Sequence, residues 1–339
     1  MTSILSEYAR LIRLPGLGGL SVSPVFGAIT VGMLSLFDLS LLFLIGVFSA
    51  VYGFVLNDLV DIDVDRLSKE LSDRPLVSGT ISRKAALLTC FLCVVGTFTI
   101  IFIFFYKPHV HFYLALLCIV LAAFFGTLYN VFGKKFVGSD VLVALSEALL
   151  VLFGTFVVLK DNGSPNMFTW IVFILTFNQL LYMNAVEGGL KDADHDYLMG
   201  VKNIALASGV KVSADKKITV PLSFKAFGLL IRFFSAYLIF IPVLFYGTEY
   251  YEIWNIFLLL LLVIGVLYLS IKLLCIKKFD RKRIRRLISL QTFLRYSAVP
   301  TMLIPVIGLL YAFILIILPF AWYIMLTPLI GGKIFQPGI

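Results

Sequence analysis

Charge is scarce in this sequence: 14% of its 339 residues are Asp, Glu, Lys or Arg, where soluble domains carry about 25%. So little charge excludes an ordinary soluble domain. Cysteines are few as well, Cys90, Cys93, Cys118 and Cys275, and each falls in or beside an apolar run. Cys90 and Cys93 form a Cys-x-x-Cys pair, but no other soft ligand lies near them. That setting excludes a metal or redox role and makes all four small core hydrophobes. No small-residue cleavage site follows a short apolar core near Met1. The opening stretch therefore reads as the approach to a first helix and not as a signal peptide.

What the chain has in quantity is apolar sequence. Hydrophobic residues make up 60% of it and the mean hydropathy is +1.02. The apolar runs approach the roughly 20 residues that cross a bilayer. Nine spans are expected, at about 15–34, 39–58, 84–106, 109–130, 138–159, 166–188, 222–246, 251–276 and 296–326, with Pro305 and Pro319 able to kink or end the last. Of 28 basic residues, all but Lys107, Lys160, Lys333 and Arg232 fall in alternate loops, Lys69 and the run from Lys272 to Arg295 included. This is the positive-inside pattern of a multi-pass membrane protein whose N-terminus is cytoplasmic. It also accounts for the net charge of +9, so no nucleic-acid partner is needed. The two long connections on that face, 59–83 and 189–221, are polar enough for short interfacial helices.

Those connections hold most of the acidic residues. Asn57-Asp-Leu-Val-Asp-Ile-Asp-Val-Asp65 closes the second span. Asp58, Asp61 and Asp65 stand at i, i+3 and i+7, so a continuing helix puts them on one face, with Asn57 beside them. Like charges on one stripe repel unless a cation lies between them. All-oxygen donors suit a hard divalent ion, most plausibly Mg2+ carrying phosphate. Asp63 breaks the spacing and belongs to solvent or to a supporting position.

A second cluster, Glu187-Gly-Gly-Leu-Lys-Asp-Ala-Asp-His-Asp196, closes the sixth span. Asp192 and Asp196 repeat the spacing of Asp61 and Asp65 at a displacement of 131 residues, and Leu206-Ala-Ser-Gly209 repeats Leu76-Val-Ser-Gly79 at 130. Repeats of this kind build sites at the interface of two membrane halves; here the halves are about 15–137 and 138–276, followed by the ninth helix, within a single domain over 1–339. Two carboxylate clusters on one membrane face can hold Mg2+ ions around a diphosphate, whose departure the metal assists. Basic residues complete such a site: Arg13, Arg74, Lys134, Lys191 and Lys202. Glu187 could receive a proton, and the adjacent glycines allow the helix to end or bend. His195 sits off the face of Asp192 and Asp196.

These residues closely resemble the UbiA superfamily of intramembrane prenyltransferases. Its Asn-Asp-x-x-Asp-x-x-x-Asp motif is met by Asn57, Asp58, Asp61 and Asp65, and its Asp-x-x-x-Asp motif by Asp192 and Asp196, with Gly200 and Lys202 following. Arg74-Pro-Leu76 and the Arg13-Leu-Pro entrance are similar too. An aromatic-and-basic element is matched by Tyr129 and Lys134, although Gly133 stands where the family has lysine. The resemblance implies an all-α fold of nine transmembrane helices in a ring around a central cavity. A polyprenyl diphosphate (geranylgeranyl diphosphate among the candidates) then binds through Mg2+ between the motifs, and an allylic carbocation alkylates an acceptor. Asn57, Asp58, Asp61, Asp65, Asp192 and Asp196 would be the metal-binding set. Arg13, Arg74, Lys134, Lys191 and Lys202 would grip diphosphate, and Tyr129 would join the catalytic group. The acceptor is an aromatic quinone precursor or a glycerol-phosphate lipid, both of which fit the residues around Lys191–Asp196. Membrane lipids are the remaining partner, and the basic run Lys277–Arg286 suits their anionic headgroups.

The rival class is a transporter with an acidic cation site at its helix ends. It would need ionisable groups near mid-bilayer, and Glu147 is the residue available to it.

Overall fold

The computed structural model describes residues 4–66 and 72–331; Lys69 and Lys333 lie outside them. The described residues are all-α apart from one two-stranded hairpin. Among the described residues, nine helices are long and apolar enough to cross a membrane, so this is a multi-pass membrane protein. Its residues group into two compact units, each treated by itself: Met1–Val131 with Leu149–Pro165 and Ile317–Ile339, and Phe132–Ala148 with Asn166–Ile316.

In the first unit the opening span begins earlier than 15 and is not one helix. It runs as α1 (Ile4–Leu11), α2 (Leu14–Leu20) and α3 (Ser23–Thr30). Pro15 and Pro24 lie in the first turns of α2 and α3, where a missing N–H leaves no bond unmade. Between α1 and α2, Arg13 adopts a left-handed conformation at φ 51°, uncommon for a residue with a Cβ. Glycines then let backbones touch. A Cβ on Gly27 would lie 1.9 Å from Val151 O, one on Gly154 1.9 Å from Pro24 O, and one on Gly46 2.0 Å from Ser21 O. Without a hydrophobic drive between helices in lipid, such close approach is what holds them. Thr155 Oγ1 donates to Gly27 O at 3.0 Å across the same contact.

The second helix, α4 (Leu36–Asp65), continues well past position 58 and carries the first aspartate motif on its last two turns. It lies against α5 (Arg83–Phe104), capped by Ser82. Asn130 Nδ2, near the end of α6 (Val110–Phe132), donates to Gly53 O at 3.1 Å, and Tyr52 Oη meets Thr127 Oγ1 at 2.9 Å. The later part of α7 (Asp140–Val158) supplies the Val151 and Gly154 contacts.

After the early part of α7, the second unit continues with α8 (Met167–Leu181). The Gly188-Gly189 pair does not end this helix. It continues as a π-helical turn, Tyr182–Gly188, then α9 (Gly189–Lys191), and breaks at Asp192. Gly189 instead makes room for a neighbour, since a Cβ there would fall 2.5 Å from Ala205 Cβ. The following connection holds two short helices, α10 (Ala193–Leu198) and α11 (Ile204–Ala207), then β1 (Lys211–Val212) antiparallel to β2 (Ile218–Thr219). In 72–82, the described part of the first unit's corresponding connection, the chain makes turns and no helix.

The chain then forms α12 (Leu222–Tyr250), α13 (Ile253–Leu274), α14 (Arg281–Met302) and α15 (Ile304–Leu326), closing with a 3-10 turn at Thr327–Ile330. The expected single span over 296–326 is therefore divided at Leu303. The basic run before it belongs to α14, a helix too charged to register as an apolar span. Asp280 caps it, accepting from Lys282 N and Arg283 N. It runs back along α13 for that helix's full length: Tyr251 Oη, before the start of α13, donates to Met302 O at 2.8 Å. The kink of α15 falls at Gly308, φ 76°, not at Pro305 or Pro319. Cys90, Cys93 and Cys118 are buried as expected, whereas Cys275 is exposed beyond the end of α13.

Candidate active site

In the first unit, α4 does present Asp58, Asp61 and Asp65 together, all three buried. Buried carboxylates need partners, and the neighbouring segments supply them. Arg13 Nη2 donates to Asp58 Oδ1 at 2.9 Å, and Arg74 Nη1 reaches Asp58 Oδ1 at 3.3 Å and Asp65 Oδ2 at 2.5 Å. The Arg13 guanidinium also lies over the Phe54 ring, 4.7 Å from its centroid. Arg10 ties α1 to the turn before Arg74 by donating to Asp73 O at 2.8 Å. Asn57, next to Asp58 on α4, is half-buried, and so is Tyr129 on α6. Asp63 points elsewhere, exposed and paired with Arg83 at 3.1 Å and Arg66 at 3.5 Å.

In the second unit the break at Asp192 sets the second motif. Asp196 N donates to Asp192 O at 2.8 Å, closing the first turn of α10. Lys191 Nζ lies 3.4 Å from Asp192 Oδ2. Asn203 Nδ2 donates to Asp196 Oδ2 at 2.8 Å, while its own oxygen caps α11. Burial, with the Asp192 carboxylate adding to it, pushes Asp196 up to about 6; the Lys134 and His195 charges and the Asn203 bond pull the other way. Lys134 thus acts within electrostatic reach of Asp196, and its carbonyl accepts from Lys202 N at 3.1 Å. The lysine one position beyond the family's place thus lies near the second motif, and the exposed Lys202 is held beside it through its backbone.

The two connections also share a local form. Ser78 N donates to Arg74 O and Ser208 N to Ile204 O, both at 2.9 Å, and each turn ends on a glycine of positive φ, Gly79 at 78° and Gly209 at 91°. Only glycine takes that conformation without strain.

Sequence reasoning missed two features. Arg281, read as one of a basic run, donates to Asp194 Oδ1 at 2.7 Å and to Lys191 O at 3.3 Å. Its position in the chain gave no hint of this, because 87 residues separate it from Asp194. Second, Glu147 is not alone as an acid within the spans. Glu187 is buried and ion-paired with Arg232 at 3.3 Å and Arg295 at 3.0 Å. Arg232 stacks 3.5 Å over Tyr182. The Gln291 amide, turned with its nitrogen to Glu187 Oε1 at 2.8 Å, gives its oxygen to Ser270 Oγ at 2.6 Å. Glu187 is therefore engaged through Oε1 by two arginines and the Gln291 amide.

Among the described residues no three acidic, His or Cys side chains converge on one metal position. Mg2+ is ordinarily held by one or two carboxylates together with phosphate and water, not by an all-protein cage. Buried aspartates on one helical face, already flanked by arginines, fit that mode of binding.

The model of the UbiA prenyltransferase family matches residues 21–294. Over 216 residues the chain is 27% identical to the digeranylgeranylglyceryl phosphate synthase of Saccharolobus solfataricus, covering 62% of this chain and 71% of that one. Its fold is similar to the solved structure of digeranylgeranylglyceryl phosphate synthase in membranes, with a TM-score of 0.64 at 20% identity, over 90% of this chain and 99% of the other. It is also similar to the Archaeoglobus fulgidus UbiA homolog bound to GPP and Mg2+, with a TM-score of 0.59 at 21% identity, over 89% and 100% of the two chains.

Proposed function

Since this chain belongs to the UbiA prenyltransferase family, we propose that it transfers a geranylgeranyl-type group from its diphosphate to the hydroxyl of a glycerol-phosphate lipid. The observation that carries the site is the buried face of Asp58, Asp61 and Asp65, with Arg13 and Arg74 drawn onto it from two other segments. The choice of acceptor is supported by the synthase relative and by the similar fold of a synthase of the same name. A 4-hydroxybenzoate octaprenyltransferase is also a relative, at 30% identity, so the acceptor is what the experiment must separate.

Asn57, Asp58, Asp61 and Asp65 would hold Mg2+ in the first unit, and Asp192 and Asp196 in the second. Bound there, Mg2+ supplies positive charge that offsets the diphosphate as it leaves. The chain's own residues do the rest. Arg13 and Arg74 orient the diphosphate by charge-assisted hydrogen bonds, and Lys134, Lys191 and Lys202 add donors on the second motif. Asn203 holds Asp196, and Arg281 holds the α9–α10 corner by way of Asp194. Tyr129 would contribute an aromatic ring of the kind that favours a nearby cation.

The motif-bearing loops and the N-terminus are assigned to the cytoplasm on loop charge. The described C-terminal end joins them, because Ser6 Oγ donates to Leu329 O at 3.0 Å. Helix α14 supplies the additional crossing this requires, with its basic first turns at the cytoplasmic interface and Met302 beside Tyr251 at the other. The single domain is assigned as two quasi-repeats, about 15–137 and 138–276, followed by the C-terminal helices. The matching turns at Ser78–Gly79 and Ser208–Gly209 support it.

The transporter reading gains nothing from the buried charges. Glu187 is paired with Arg232, Arg295 and the Gln291 amide, a cluster of fixed ion pairs and not a relay. The test is purified protein with Mg2+ and labelled geranylgeranyl diphosphate, offered geranylgeranylglyceryl phosphate, 4-hydroxybenzoate or dihydroxynaphthoate, with Asp61→Asn as control. Product from the glycerol lipid alone is expected. Product from an aromatic acid alone would overturn the acceptor, and absence of diphosphate release would overturn the site.

A further inference from the structure

Arg13 owes its position to a backbone turn that the chain's own sequence disfavours. It is a non-glycine residue at φ 51°, ψ 46°, wedged between α1 and α2, with no side-chain cap on the helix that follows. Its guanidinium reaches Asp58 only because the turn aims it there. Locally the turn is held by Arg13 N to Arg10 O at 3.1 Å and Gly16 N to Arg13 O at 2.8 Å. A residue in the left-handed region persists only where its surroundings over-determine it, so something beyond these two bonds must hold it.

The C-terminal helix does so. Trp322 Nε1 donates to Leu14 O at 2.8 Å, at the residue next to Arg13. The indole is seated in a gap that glycine leaves open: a Cβ on Gly18 would lie 2.6 Å from Trp322 Cγ. Its far edge meets Phe43 on α4, the helix that carries Asp58, at a centroid distance of 5.7 Å. Eight residues before Leu14, Ser6 is bonded to Leu329. The last helix therefore grips the α1–α2 corner from both sides of Arg13. Leu14 and Trp322 both lie outside the stretch that the family model matches.

We propose that Trp322 is a positioning residue for the active site, fixing the Leu14 carbonyl and through it the left-handed turn that aims Arg13 at Asp58. This rests on the reading that Arg13 grips the diphosphate. The indole makes no claim on substrate itself. Its effect is on whether one donor is in place when the diphosphate arrives, which is a matter of binding more than of bond breaking.

The experiment compares wild type, Trp322→Phe, Gly18→Ala, Arg13→Ala and the double variant Arg13→Ala/Trp322→Phe. Phenylalanine keeps the ring and removes the N–H. Alanine at Gly18 improves helix propensity while displacing the indole. Losing one such bond is expected to raise KM for geranylgeranyl diphosphate about three- to tenfold, with kcat changed less than about twofold. In the Arg13→Ala background, Trp322→Phe should have no further effect. Hydrogen exchange gives an arm independent of activity: amides at Arg13–Gly16 should exchange faster in Trp322→Phe than in wild type. Unchanged exchange there, an unchanged KM in Trp322→Phe, or multiplied effects in the double variant would each overturn the proposal. A normal KM in Arg13→Ala would overturn the diphosphate role of Arg13, and a raised KM in Trp322→Phe beside it would show that the indole acts by another route.

Discussion

Consider Glu187→Gln, which removes one negative charge from the interior of the second unit and almost no volume. Glu187 is 1% exposed, and Arg232 beside it 3%. Opposite charges 3.0 Å apart, as Glu187 and Arg295 are, attract by about 5–6 kcal/mol at an effective dielectric near 20. The variant forfeits that attraction to both arginines and leaves two desolvated cations facing each other. The Tyr182 ring lies under Arg232 with or without the substitution and does not enter the difference, while the glutamine oxygen still accepts a hydrogen bond. Breaking a buried pair typically costs about 3–5 kcal/mol; with the retained acceptor we expect about 3 kcal/mol here, a large share of a total near 5–15 kcal/mol. Equilibrium unfolding of the purified protein in mixed micelles, titrated with a denaturing detergent, measures it. Replacing the cluster as a whole, Glu187→Leu with Arg232→Met and Arg295→Met, should recover most of the loss because the desolvation cost disappears with the charges. If Glu187→Gln unfolds within about 1 kcal/mol of wild type, the pairing energy argued here is wrong.

Three further outcomes follow from other parts of the molecule. Asp196 is pushed up to about 6 from an ordinary 3.8, so folding favours its neutral form: that contribution to stability is full below about pH 4 and is lost as pH rises through about 6. Holding a cation needs the charged form, so Mg2+-dependent binding of geranylgeranyl diphosphate should weaken as pH falls below about 6, and Asp196→Asn should bind poorly with that pH dependence flattened. Gly27→Ala forces a methyl to within 1.9 Å of Val151 O and should cost about 1–3 kcal/mol, read as a lowered thermal midpoint, whereas Gly53→Ala meets nothing within 4 Å and should be neutral. In sealed vesicles, cysteines placed at Ser6 and Leu329 should react with a membrane-impermeant maleimide from the same side; labelling from opposite sides would contradict the Ser6–Leu329 contact.

Much of the site was legible because it is local. Asp58, Asp61 and Asp65 are within eight positions, and the helical period alone places them on one face. Asp192 and Asp196 follow the same logic. The two prolines that divide the opening span were visible, but hydropathy windows average over a break of one or two residues. Helix α14 was hidden for the opposite reason: its basic first turns read as a loop, though Asp280 caps them and Gln291 and Arg295 find partners on other helices. Arg281 with Asp194, Arg295 with Glu187, and Trp322 with Leu14 are separated by 87, 108 and 308 residues. No periodicity links residues so far apart, and folding alone brings them together.

The glycine contacts between the opening span and α7 set an order on biosynthesis. Gly27 and Thr155, which bond across that seam, are 128 residues apart, so at about 5–20 residues per second the second is made roughly 6–26 s after the first. Through that interval the opening span, least apolar of the nine at a mean hydropathy of 1.2, has entered the bilayer without the partner that lets its backbone lie close. Its seating is completed only when α7 arrives, and the Trp322 contact comes later still. A substitution at Gly154 would accordingly surface first as a nascent chain that fails quality control, with the arginine at its entrance never brought to the carboxylates it serves.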